Sequence, residues 1–410
     1  MSGGHESRAD DPAEARIADG TSVPGSTATL PRGGNRRRLV IVLVTVLTVV
    51  GIFVVALRFG PRQDPPPAAA PPPPAPAPAA QESVAPPPSA PPVSTQAPAP
   101  QEPQAGPQFE GWVGEVADWL DIPQRAMHGY ALATMSLGQE QPDCSLSWVT
   151  LAALGKITTD HGRIDGASIG EDGTMIEPIA TVPLKDFSGK SISVPDASGP
   201  MQISPSMWRE FAASPDGGEP RKQNIDDAAL TAGRALCDGR RNLAEGEDWL
   251  AAISTFQKAP LFQHRVLATA NVYGTVGQTA TPPNPAALHA VNFSIDKIGL
   301  PYVWGGNGEE KGDVGFDCSG LTTAAYASAG TSLQRTADWQ FRSVPLIPAG
   351  QQPKLGDLIF YGEPATKIHH VGIYIGNQQM IDAPTFGQAV QVHPYRTAGD
   401  DYAGAGRPAG

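Results

Sequence analysis

Phe316-Asp317-Cys318-Ser319-Gly320-Leu321, followed later by His370-Val371-Gly372-Ile373-Tyr374-Ile375-Gly376, is the pair of stretches on which the reading of this 410-residue chain turns. The first sets a cysteine ahead of a helix-compatible run, Ser319 to Ala329, with Asp317 available as its cap. The second reads as a strand that begins on a histidine. A thiol at a helix N-terminus is stabilised as a thiolate by the helix dipole, and an imidazole beside it supplies a base. Unpaired N–H groups in the same first turn can receive the oxyanion of a tetrahedral intermediate. Cys318 is therefore the expected nucleophile and His370 the expected base.

Side chains alternate across a strand, so His370 shares a face with Gly372 and Tyr374, whereas His369 falls with Val371, Ile373 and Ile375. Only one of the two adjacent histidines can face the thiol. The third group, which would orient the imidazole, is expected to be Asp382 in the next strand-like run, with His393 as second choice. A plain two-residue turn at Asn377-Gln378 would pair Asp382 with Ile373, on the wrong face, so an odd-length loop or a bulge is required. The same alternation disfavours a zinc site built from Cys318, His369 and His370, and no metal or cofactor is expected.

Around this core the run from 286 to 410 opens with a helix, Ala286 to Ile298. It continues into short strands at Asp357 to Tyr361, His370 to Ile375, Gln379 to Asp382 and Ala389 to Val392, an α+β pattern. Thr281-Pro282-Pro283-Asn284-Pro285 marks a break, 278–285, because consecutive prolines exclude regular structure. Before it, 109–277 carries apolar residues at three- and four-residue spacing in Trp112 to Leu120, Pro123 to Leu137, Ser147 to Ile157, Ile225 to Leu236 and Asp248 to Gln257, an all-α unit.

Further upstream, 59–108 is dominated by Pro and Ala and cannot bury a core. It reads as a spacer. Leu39 to Leu57 are uncharged and almost wholly apolar, close to the roughly 20 residues a helix needs to cross a bilayer, and a membrane span is expected over 39–58. Arg32 and Arg36 to Arg38 precede this run and outnumber Arg58 and Arg62 after it. That bias keeps 1–38 cytoplasmic and places everything after Phe59 outside. A cleaved signal peptide is the competing reading, but the run is long for one and no Ala-x-Ala site closes it.

A net charge of −12 argues against a nucleic-acid partner, which would need clustered Lys and Arg. Three cysteines in an oxidising compartment leave one unpaired; Cys144 and Cys237 share the helical unit and form the expected disulfide, with Cys318 as the odd thiol.

Taken together, PYVWGG (301–306), FDCSGL (316–321), LGDLIFY (355–361) and HHVGIYIGNQQMIDAP (369–384) resemble the NlpC family of bacterial cell-wall cysteine peptidases over about 286–400. The resemblance implies a papain-like α+β fold. It also implies hydrolysis of the amide between D-glutamate and meso-diaminopimelate in peptidoglycan stem peptides. By motif position Cys318, His370 and Asp382 are the catalytic set, and Tyr302 and Ser319 the substrate contacts. An acid at 382 looks like the version in some actinobacterial wall endopeptidases, and Gln334 replaces a commoner proline. The stretches Leu146 to Arg163, Ser198 to Ile203 and Gln223 to Ala229 resemble lysozyme-like lytic transglycosylases, in which a single glutamate is the acid. Here Thr158 holds that position, and the family's late Tyr-Asn pair reads Phe256-Gln257. A threonine hydroxyl cannot protonate a leaving glycosidic oxygen at neutral pH, so this unit is expected to bind glycan without cutting it.

The expectation is a single-pass, outward-facing peptidoglycan endopeptidase of wall remodelling or of a conjugation or secretion apparatus. The alternative is a non-enzymatic wall-tethering protein.

Overall fold

The computed structural model describes residues 106–408. The expected cytoplasmic segment 1–38, the span 39–58 and almost all of the linker 59–108 lie outside the described residues. No described helix is long and apolar enough to cross a membrane.

A helical region comes first: α1 (Pro107–Leu120), α2 (Gln124–Glu140), α3 (Trp148–Thr159), α4 (Pro205–Phe211), α5 (Ile225–Cys237), α6 (Gly246–Phe256) and α7 (Pro260–Gly277). Its boundaries follow local chemistry. Pro at the first positions of α1, α4 and α7 costs nothing, because the missing N–H would have had no helical partner. Asn224 caps α5 by accepting from the N–H groups of Asp226 and Asp227. Between α3 and α4 the chain runs without long elements, held by isolated bridges such as Lys185 with Ser191 and Ser198 with Ile203. Cys144, before α3, is disulfide-bonded to Cys237 at the end of α5, with Cα atoms 5.5 Å apart.

Helix α8 (Pro285–Asp296), capped by Asn284, opens the second region, followed by α9 (Cys318–Ser328) and α10 (Ala337–Ser343). Strands β1 (Leu358–Glu363), β2 (Lys367–Gly376), β3 (Gln379–Asp382), β4 (Gln391–Pro394) and β5 (Tyr402–Gly406) form one antiparallel sheet in the order β4-β3-β2-β1-β5. Alternation divides its faces. Leu358, Phe360, Val371, Ile373 and Ile375 face the helices, while Ile359, Tyr361, Tyr374 and Met380 cluster with Tyr395 on the other side. Strand β4 begins at Gln391 rather than at the expected Ala389, because Gln388 and Val390 are engaged elsewhere. The N–H of Tyr302 donates to Gln388 O, and that of Val390 to Leu300 O.

The helical core and the helix-facing side of the sheet are one continuous apolar cluster. Helix α7 is the hinge of that continuity: the Asn377 side-chain amide, in the β2–β3 turn, donates to Asn271 Oδ1 at 3.1 Å. Gly376, at φ +88°, lies so close to Thr275 that a Cβ there would overlap its side chain.

Candidate active site

Asp317 builds the entrance to α9. Its carboxylate accepts from Gly320 N–H at 2.6 Å and from Gly305 N–H at 3.0 Å, and it receives both arms of the Arg335 guanidinium at 2.9 Å. Arg335 also donates to Ser319 Oγ and to Gly306 O. A Cβ at Gly320 would fall 2.0 Å from Gly306 O, so only glycine lets the two backbones meet here. The effect is to fix Cys318 at the first helical position, half-exposed and in the free thiol form.

On the sheet, His370 Nε2 lies 2.6 Å from Asp382 Oδ2. Two features deliver that contact. Asn377 and Gln378 both adopt left-handed φ, a tight reversal, and the β2–β3 register shifts between Tyr374 and Gly376. Ile373 then pairs with Ile381, and the Asp382 Cβ comes within contact distance of Gly372, on the His370 face. His369 is bonded instead to Asp401, at 2.6 Å. His393 Nε2 takes the second Asp382 oxygen at 2.9 Å, so the carboxylate, 1% exposed, is held between two imidazoles.

Burial lowers the pKa of His370, but its hydrogen bonds to Asp382 and Cys318 outweigh that and raise it to about 10. Burial likewise opposes the charge of Asp382, and the two histidines overcome it, leaving the pKa below the ordinary carboxylate value. Nε2 of His370 is occupied by Asp382, which leaves Nδ1 to serve the thiol. Cys318, Ser319, His370, Asp382, His393 and Tyr302 line one cavity of 820 Å³. Desolvation, with the nearby Cys318 and Asp317 adding to it, raises the Tyr302 pKa.

Residues 299–403 match the NlpC/P60 family. The NlpC/P60 domain is 41% identical over 123 residues to peptidoglycan endopeptidase RipA of Mycobacterium tuberculosis, covering 28% of this chain and 25% of that one. It is 38% identical over 129 residues to the gamma-D-glutamyl-L-lysine dipeptidyl-peptidase of Bacillus cereus, covering 30% and 37%. To the probable endopeptidase p60 of Listeria monocytogenes it is 48% identical over 86 residues, covering 21% and 16%. The chain thus spans well under half the length of each of these relatives.

Within the NlpC/P60 domain the sequence reading overlooked Arg335. Its signal was present, a cation next to the Gln334 departure, but nothing in the spacing ties it to Asp317. Ser319 lies at the cleft, yet its hydroxyl is taken by Arg335, so only its backbone N–H is left to meet a substrate. Among the described residues no group of His, Cys, Asp and Glu has the arrangement of a metal site.

Outside the NlpC/P60 domain, Thr158 is buried on α3 and its hydroxyl donates to Leu154 O at 2.7 Å. Val182, Leu184 and Val194 from the α3–α4 segment close over it with Phe256 and Gln257, leaving 20 Å³. The Gln257 amide donates to Ile192 O of that same segment. Asp160 ends α3 in a left-handed conformation and is hydrogen-bonded to Lys156 and Arg163. These bonds keep its pKa low against partial burial, so it stays ionised and is no proton donor. His161 is enclosed between the Tyr130 and Tyr273 hydroxyls, and burial lowers its pKa to about 3.

Proposed function

We propose that this protein is a membrane-anchored peptidoglycan endopeptidase that cuts the D-glutamyl-meso-diaminopimelate amide of stem peptides. The observation that carries the proposal is the convergence of Cys318, His370 and Asp382 on one cavity, with His370 bonded to a buried carboxylate. Cys318 attacks the amide carbonyl as its thiolate, the thiol proton resting on His370. The tetrahedral oxyanion is received by the N–H groups of Cys318 and Ser319, since that of Gly320 is spent on Asp317. Collapse expels the amine, which takes the proton from His370. A water deprotonated by His370 then hydrolyses the thioester. Asp382 holds the imidazole and its charge throughout.

The helical region is proposed to derive from a lysozyme-like fold. With Thr158 in place of an acid and 20 Å³ around it, this region cuts no glycan, and a sugar ring can enter there only if the 182–194 segment moves. Residues 39–58 are proposed to anchor the chain in the cytoplasmic membrane, with both described regions outside. Wall remodelling and service to a conjugation or secretion apparatus are equally compatible with this reading.

The test is mass spectrometry of diaminopimelate-type sacculi treated with the protein or with Cys318→Ala. New ends between D-glutamate and diaminopimelate, absent with the variant, are expected. Products unchanged by Cys318→Ala would refute the thiol mechanism, and no products at all would favour the wall-tethering alternative.

A further inference from the structure

Two of the largest exposed apolar side chains in the described residues stand together at the mouth of the thiol cavity. Trp304 is 77% exposed and Phe386 69% exposed. Their rings are stacked, 15° from parallel with centroids 6.5 Å apart, and the pair still leaves most of both side chains open to solvent. Tyr302 joins this pair to the chemistry, its ring edge-on to Phe386 at 5.1 Å while it lines the cavity with Cys318 and Trp304.

The surface is held firmly. Phe386 lies in the loop after β3, and the facing segment is tied to that loop by Tyr302 N–H to Gln388 O at 2.9 Å. Val303 N–H donates to Phe316 O at 2.8 Å, and Gly305 N–H to Asp317. Exposed aromatic area of this kind is costly in a solvated protein and marks a place where something flat and partly apolar lies. The C–H face of a pyranose ring has that character, and aromatic faces, electron-rich at their centres, attract polarised C–H bonds.

We propose that Trp304 and Phe386 form a sugar-stacking subsite, so that the NlpC/P60 domain itself grips the glycan strand to which a stem peptide is attached. The proposal rests on the peptidoglycan reading above. Reach supports it: the two residues and short ether arm between the scissile amide and the sugar span roughly 10 Å when extended. That is comparable with the width of an 820 Å³ cavity. The space around Thr158, by contrast, is too small for a sugar ring as it stands.

The test separates sugar from peptide. Full-length Cys318→Ala protein, which cannot turn over, is titrated with a peptide-free GlcNAc–MurNAc oligosaccharide and followed by isothermal titration calorimetry. Phe386→Leu keeps an apolar contact for Tyr302 but removes the flat face. Binding that this change weakens about fivefold, and that Trp304→Ala abolishes, is the expected result. No binding, or binding indifferent to both changes, overturns the subsite whatever the peptidase activity. In the active protein Phe386→Leu is expected to lower kcat/KM about fivefold on a disaccharide-linked stem peptide and to leave the free stem peptide within twofold. Equal losses on both would mean that the aromatics serve the peptide, and would also overturn it. Cleavage of neither substrate by the unaltered protein counts against the peptidase reading, which the oligosaccharide titration does not use.

Discussion

His393 Nε2 sits 2.9 Å from the Asp382 oxygen that His370 leaves free. The two histidines therefore share one buried carboxylate, and only His370 also contacts the thiol. Asp382→Asn is expected to lower kcat on the order of 10²- to 10⁴-fold, because the amide can neither fix the tautomer nor stabilise the imidazolium. His393→Ala should cost roughly tenfold, since it removes only a brace on the carboxylate. Steady-state kinetics on a stem peptide checks both, and equal losses would mean that His393 has a direct part in the chemistry.

The same cluster sets a pH signature for stability. His370, with its pKa raised to about 10, stabilises the fold fully below its unfolded value of 6.5, and that contribution is lost as pH rises toward 10. Asp382, with its pKa lowered from 3.8, stabilises above that value and loses its contribution as pH falls through the folded value. The melting temperature is expected to be highest between about pH 4.5 and 6.5 and to decline on the alkaline side. Cys318→Ala should flatten the alkaline decline, because the thiol is one source of the His370 shift. An unchanged slope in differential scanning calorimetry would contradict the pairing.

Arg335 holds Asp317, Ser319 and Gly306 in one arrangement. Arg335→Ala is expected to destabilise the fold by about 2 kcal/mol, a value that allows for the partial exposure of the guanidinium. It should also reduce kcat more than it raises KM, since it loosens the helix end that carries the nucleophile. Arg335→Lys should recover part of the stability but little of kcat, because one ammonium cannot replace a fork.

Placing an acid at position 158 should not create a glycosidase. Thr158→Glu would bury a carboxyl in a 20 Å³ space and is expected to cost about 2–4 kcal/mol without yielding anhydro-sugar ends from sacculi. Such ends appearing would show that the 182–194 segment opens readily.

Much of the arrangement could be read in advance where one residue type served one purpose. Asp317 as cap, the helix after Cys318 and the opposed faces of His369 and His370 all follow from local rules. Helix α7 escaped because it is buried on several sides, from Phe262 and Val266 to Asn271 and Tyr273, and so shows no single apolar stripe. Strand β5, Tyr-Ala-Gly-Ala-Gly, has no β-branched residue and exists because β1 offers it an edge. The parity of Asp382 was undecided in the sequence because it depends on one register shift that residue types do not announce.

That shift ends at Gly376, where Thr275 and Asn271 of α7 press on the turn. The proline-rich joint at 278–285 therefore does not separate two beads on a string. A peptidase trimmed to begin after the joint would lose the buttress beneath its own β2–β3 hairpin, and its aspartate could slide to the opposite side of the sheet. Gene shuffling that carries the sheet half to a new neighbour leaves the turn at Gly376 and Asn377 without the side chains that pack on it here.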